Sequence, residues 1–76
     1  MTMLKQCENY LRFGEQGDYV ETFDGKMRVT RKDGFVNTLP TCYITENGVT
    51  RTSESFYGDV VKFLEKMIAY EGEYIK

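Results

Sequence analysis

Histidine is absent from this chain, which removes the side chain that most often serves as general base, metal ligand or pH switch near neutrality. Only two cysteines are present, Cys7 and Cys42, where a secreted disulfide scaffold of this size usually carries four or more. Both therefore read as reduced thiols that fill a core. A nucleophilic cysteine needs an activating base or a stabilising cation, and no imidazole exists to supply the first. There is no Cys-x-x-Cys pair and no spaced oxygen-ligand pattern of a calcium loop, so neither a metal nor a cofactor is expected. One proline and seven glycines are too few for a low-complexity tract. No apolar run approaches the ~18 residues of a membrane span, and Met1-Thr2-Met3-Leu4-Lys5 lacks the basic head and apolar stretch of a signal peptide. The expectation is a cytoplasmic, non-enzymatic protein with no membrane partner.

What the chain does contain is typical of an ordered globular unit. Its 76 residues are 41% hydrophobic and 29% charged, which predicts one compact domain over residues 1–76. Five Phe and six Tyr supply the dense core that so short a chain needs. The net charge of −2 is unevenly spread. Residues 1–25 carry two basic and five acidic side chains, 26–52 five basic and two acidic, and 53–76 three basic and five acidic.

Met3, Leu4, Cys7, Tyr10 and Leu11 recur at helical spacing and predict a short amphipathic helix from about Thr2 to Phe13, stopped at Gly14. From Asp18 the period changes to two. Asp24-Gly25 between β-rich runs is a strong hairpin signal. It places Glu21 opposite Arg28 and Asp18 opposite Arg31, pairs of opposite charge that set a register. Lys32-Asp33-Gly34 predicts a second turn leading into a strand with Phe35, Asn37 and Leu39 on the face of Met27 and Val29. Asn47-Gly48 predicts a further hairpin between Tyr43-Ile44-Thr45-Glu46 and Val49-Thr50-Arg51-Thr52. The last helix carries one row of Phe56, Val60, Phe63, Met67 and Tyr70 and another of Tyr57, Val61, Leu64 and Ile68. Ser53 or Ser55 caps its start and Gly72 ends it. The fold class is α+β: helix, antiparallel meander of three to five strands, helix, with both helices on one face of the sheet.

This order of elements is also that of the double-stranded-RNA-binding domain. Such domains start their final helix with a basic cluster, whereas Ser53-Glu54-Ser55-Phe56-Tyr57-Gly58-Asp59 has no Lys or Arg. Gly14-Glu15-Gln16-Gly17 matches a backbone-clamping Gly-x-x-Gly only superficially, because its centre carries no cation, and it reads as a loop. The wide aromatic face of the last helix favours a protein-interaction module, an inhibitor, adaptor or regulatory subunit of the kind that phages and mobile elements encode. Its candidate contacts are Phe56, Phe63 and Tyr70, with Tyr19 and Phe23 on the outer sheet face. In that reading Val61, Leu64 and Ile68 face the sheet. The alternative is a nucleic-acid-binding domain using Lys26, Arg28, Lys32 and Arg51 on a basic hairpin face, and the third is a homodimer through the last helix.

Overall fold

The chain orders as α1 (Met3–Phe13), β1 (Tyr19–Glu21), β2 (Met27–Arg31), β3 (Cys42–Glu46), β4 (Val49–Thr52), a π-helical turn (Phe56–Val60) and α2 (Val61–Ile75). The structure, a computed structural model, describes residues 2–33 and 39–75, the last five by their backbone alone. The four strands form one antiparallel sheet in the order β1-β2-β3-β4. The α+β class follows directly.

Helix α1 begins where its sequence says it should. The Thr2 hydroxyl accepts the Lys5 N–H at 3.1 Å, satisfying one of the orphan donors of the first turn. At its other end Gly14 is required by close approach. A Cβ there would lie 2.5 Å from both the Tyr10 carbonyl oxygen and Asp18 Oδ2, and that carboxylate oxygen is already engaged with the Glu15 N–H at 2.8 Å.

The first hairpin has the register that Asp24-Gly25 predicts, with Tyr19 opposite Thr30, Val20 opposite Val29 and Glu21 opposite Arg28. Its turn is larger than a two-residue one. Thr22 and Met27 close it: the Thr22 N–H donates to the Met27 carbonyl at 2.9 Å and the Met27 N–H to Thr22 Oγ1 at 3.2 Å. The cause is Asp24, whose Oδ1 accepts the Lys26 N–H at 3.0 Å and the Thr22 hydroxyl at 2.8 Å, folding the tip around its own side chain. The second hairpin is the tight one. Asn47 (φ 52°) and Gly48 (φ 84°) are both left-handed, as a type I′ turn demands.

Three expectations need correction. β2 pairs directly with Cys42–Glu46, so the strand expected over Phe35–Leu39 is not the third of the sheet. Leu39 is exposed and outside any regular element, and 34–38 lie outside the described residues. The Asp18–Arg31 partnership survives as a backbone bond, Arg31 N–H to Asp18 carbonyl at 2.7 Å, while the Arg31 guanidinium turns inward. Gly72 does not end the last helix, which runs through it to Ile75.

Met27 and Val29 on β2, and Cys42 and Ile44 on β3, alternate toward one side and form a single buried cluster with Leu11, Phe56, Val60, Phe63, Leu64 and Met67. Arg31 continues that inward alternation and is only 1% exposed. Its Nη1 donates to the carbonyls of Leu11, Arg12 and Gly14 at 3.0, 3.1 and 2.7 Å, and its Nε to that of Asp33 at 2.8 Å. The Leu11, Arg12 and Gly14 carbonyls lie at the C-terminal end of α1, where carbonyls have no partner inside the helix and the helix dipole is negative. One buried cation therefore joins the end of α1 to the centre of the sheet.

Candidate binding surface

Alternation along each strand sends the residues between the core positions to the opposite side of the sheet. The register puts Tyr19, Thr30, Tyr43 and Thr52 in one outer row and Glu21, Arg28, Thr45 and Thr50 in the next. Tyr19 and Tyr43 are 49% and 40% exposed. The Arg28 guanidinium lies over the Tyr19 ring, 4.7 Å from its centroid, and the Lys32 ammonium over the Tyr43 ring at 5.5 Å. Arg28 also donates through Nε and Nη2 to Glu21 Oε2, at 3.0 and 2.8 Å. The expected cross-strand ion pair thus exists, and its cation is shared with an aromatic face. Phe23, at the tip of the first hairpin, is 84% exposed.

Tyr43 was not among the candidates from sequence, although the signal was there. Once Cys42 and Ile44 are inward, Tyr43 must face outward beside Thr30 and Tyr19.

The other expected contacts divide differently. Phe56 and Phe63 are 3% and 7% exposed and belong to the core, and Tyr70 is half-buried against it. Leu64 is buried, whereas Val61 and Ile68 are half-buried. The buried face is therefore the row Phe56, Val60, Phe63 and Met67 rather than the row of Val61 and Ile68, which flank it. The helix opens with a π turn, in which the Val60 N–H reaches the Ser55 carbonyl at 3.2 Å.

The four candidate nucleic-acid contacts do not form one surface. Arg28 and Lys32 share the outer face. Arg51 lies in the inward row with Val29 and Ile44 and donates two bonds to the Asp59 carboxylate, at 2.6 and 2.8 Å. Those bonds hold the Asp59 carboxyl below its ordinary range. Lys26 stands at the hairpin turn, beside a groove of about 380 Å³ shared with Met27, Glu46, Lys66, Ala69 and Tyr70. Two polar contacts cross that groove. Lys66 pairs with Glu46 at 2.6 Å, and the Tyr70 hydroxyl donates to the Asp24 carboxylate, the chief reason that Asp24 titrates below its ordinary value.

Cys7 is half-buried and Cys42 buried, both as thiols. Burial pushes the Cys42 thiol up to about 11, against the opposing pull of the Arg31 charge. A thiol in that state is a poor nucleophile. Among the described residues no group of three or more His, Cys, Asp or Glu side chains is placed to hold a metal ion, and no helix is long and apolar enough to cross a membrane. Comparison with protein-family models, with curated proteins and with solved structures finds no match to this chain.

Proposed function

We propose that this chain is a small non-enzymatic binding protein of the protein-interaction class, an inhibitor, adaptor or regulatory subunit, and that it meets its partner through the outer face of the sheet. The observation that carries this reading is the exposed pair Tyr19 and Tyr43, fixed in one row on rigid strands and each held by a cation. Aromatic side chains with few rotatable bonds and an Arg alongside are the composition of interface hot spots. Phe56 and Phe63 have no part in it, since reaching them would mean opening the core.

Two features favour a protein partner over nucleic acid. The ring faces on which a base would stack carry Arg28 and Lys32, and Arg28 is already compensated by Glu21. Arg51 is paired with Asp59 and Lys26 stands at the hairpin turn beside the groove of Met27 and Tyr70, so a phosphate backbone following the outer rows does not meet them.

The test is Tyr19→Ser with Tyr43→Ser in one chain, used as bait in matched pull-downs against the parent. Both positions are exposed, so the circular dichroism spectrum should be preserved while recovery of the partner falls by about tenfold or more. Equal recovery by parent and variant would refute the assignment to this face. Retention of single-stranded or duplex nucleic acid in a gel shift, lost steeply as salt rises, would replace the protein reading with the nucleic-acid one.

A further inference from the structure

β4 is the last strand of the sheet, and all four of its side chains are exposed, Val49 to 71%. In the β3–β4 hairpin the Ser53 N–H bonds the Cys42 carbonyl at 2.7 Å. Bonded pairs alternate with non-bonded ones, so the hydrogen-bonded partners are Cys42 with Ser53, Ile44 with Arg51 and Glu46 with Val49. The N–H and C=O groups of Thr50 and Thr52 consequently point away from β3, along the outer edge. Natural sheets protect such edges with Lys, Pro, a bulge or a covering element. Val49-Thr50-Arg51-Thr52 has no Lys and no Pro, and its one charge is turned onto Asp59.

We propose that β4 is the interface of a symmetric homodimer in which the β4 strands of two copies pair antiparallel about Thr50, making one continuous sheet. The occupant is a second copy because the edge is electrically neutral and fits itself. Three of its four residues are uncharged and Arg51 is compensated by Asp59, so neither an acidic nor a basic foreign strand gains from pairing here. Side-chain size selects the register. Pairing about Arg51 would set two long arginine side chains, each tied to its own Asp59, against one another, whereas pairing about Thr50 sets the small Thr50 against the partner's Thr50 and Val49 against the partner's Arg51. The aliphatic stem of that arginine then covers the exposed Val49. The hydroxyl contact between Thr45 and Thr50, 2.9 Å long, extends across the axis as a threonine row. Beneath β4 an open groove of about 330 Å³ lined by Ile44, Glu46, Asn47, Val49 and Arg51 gains a wall. The outer rows end on β4 at Thr52 and Thr50, so the dimer joins the rows of the two copies, while Tyr19 and Tyr43 on β1 and β3 stay exposed, one pair in each copy.

A strand pair this short makes a small interface of the weak, transient class. Sedimentation of the parent chain, of Thr50→Lys and of Thr50→Glu tests it, with circular dichroism on each sample. The parent should dimerise, and each variant alone should associate about fivefold or more weakly, because the symmetry axis opposes like charges at position 50. An equimolar mixture of the two variants should restore association, because the same axis then opposes Lys to Glu. A parent that stays monomeric at several hundred micromolar overturns the proposal, as does a mixture no stronger than its components. Variants that associate like the parent would place the contact elsewhere and equally overturn it.

Discussion

Replacing Arg31 should be among the costliest single changes in this molecule. The side chain is 1% exposed and bonds four carbonyls, those of Leu11, Arg12, Gly14 and Asp33. Two opposing contributions set the size of the effect. Burying a guanidinium is expensive, and that expense disappears with the side chain. Yet the Leu11 carbonyl and its neighbours were desolvated to meet it, and each buried acceptor left without a donor costs about 1–3 kcal/mol. Breaking a buried charged network from one side costs about 3–5 kcal/mol in sum, against a total stability of about 4–11 kcal/mol for a 76-residue domain. Arg31→Ala should therefore leave the chain marginally folded. Arg31→Met refills the space without donors and should lose about 2–4 kcal/mol. Arg31→Lys retains the charge but has no planar fork to span four acceptors, and should lose least. Urea unfolding followed by circular dichroism at 222 nm measures all three, with the order Ala, Met, Lys in falling cost. An Arg31→Met chain as stable as the parent would refute the reasoning, since it would mean that the carbonyls at the end of α1 are satisfied without this side chain.

Gly14→Ala forces a Cβ against the Tyr10 carbonyl and the Asp18 carboxylate, and should lower the urea midpoint by the equivalent of about 1–3 kcal/mol; an unchanged midpoint would show that the Asp18 side chain and the last turn of α1 both give way without cost. Native-state alkylation near pH 8 should modify Cys7 well before Cys42, whose burial raises its pKa to about 11; because the folded value exceeds the ordinary 9.0, the thiol also favours the native state below pH 9 and gives up that contribution as pH rises from 9 through 11. Equal labelling of the two thiols would contradict it. Tyr70→Phe removes the hydroxyl that holds Asp24 below 3.8, so the Asp24 carboxyl should titrate closer to that value by NMR, and stability lost on acidification below pH 3.8 should shrink. An unmoved Asp24 titration would show that the Lys26 N–H and Thr22 hydroxyl suffice.

The parts of this fold that the amino-acid sequence determines by itself are those in which the competing groups lie within a few residues of one another. Thr2 caps α1 because its hydroxyl meets a donor three residues on. Asn47-Gly48 makes a type I′ turn because both backbones accept positive φ. The register of the first hairpin follows from strand alternation and from Glu21 facing Arg28, even though Asp24 enlarges the turn itself. Alternation also implies the outer position of Tyr43, a step available from the sequence once the inward face is chosen.

Only the tertiary structure decided matters in which one side chain had several distant claimants. From the sequence Arg31 reads as the cross-strand partner of Asp18, and nothing local says that the end of α1 will present its guanidinium with carbonyls. β2 could pair with the next β-rich stretch or skip it, and it skips to Cys42–Glu46, where Cys42 and Ile44 deliver their side chains to the helices. The last helix carries two apolar rows, and it is packing against the sheet and α1 that buries the one with Phe56, Val60, Phe63 and Met67 while Val61 and Ile68 stay half-buried. Lys26, Arg28, Lys32 and Arg51 form a single cluster in sequence composition, yet they separate in space because Asp59 and the hairpin turn hold two of them on other sides of the sheet. Local geometry is fixed by sterics and hydrogen bonds over a few residues and can be read in order. Which face is buried, and which charge is neutralised, depends on elements that meet only after the chain has closed on itself.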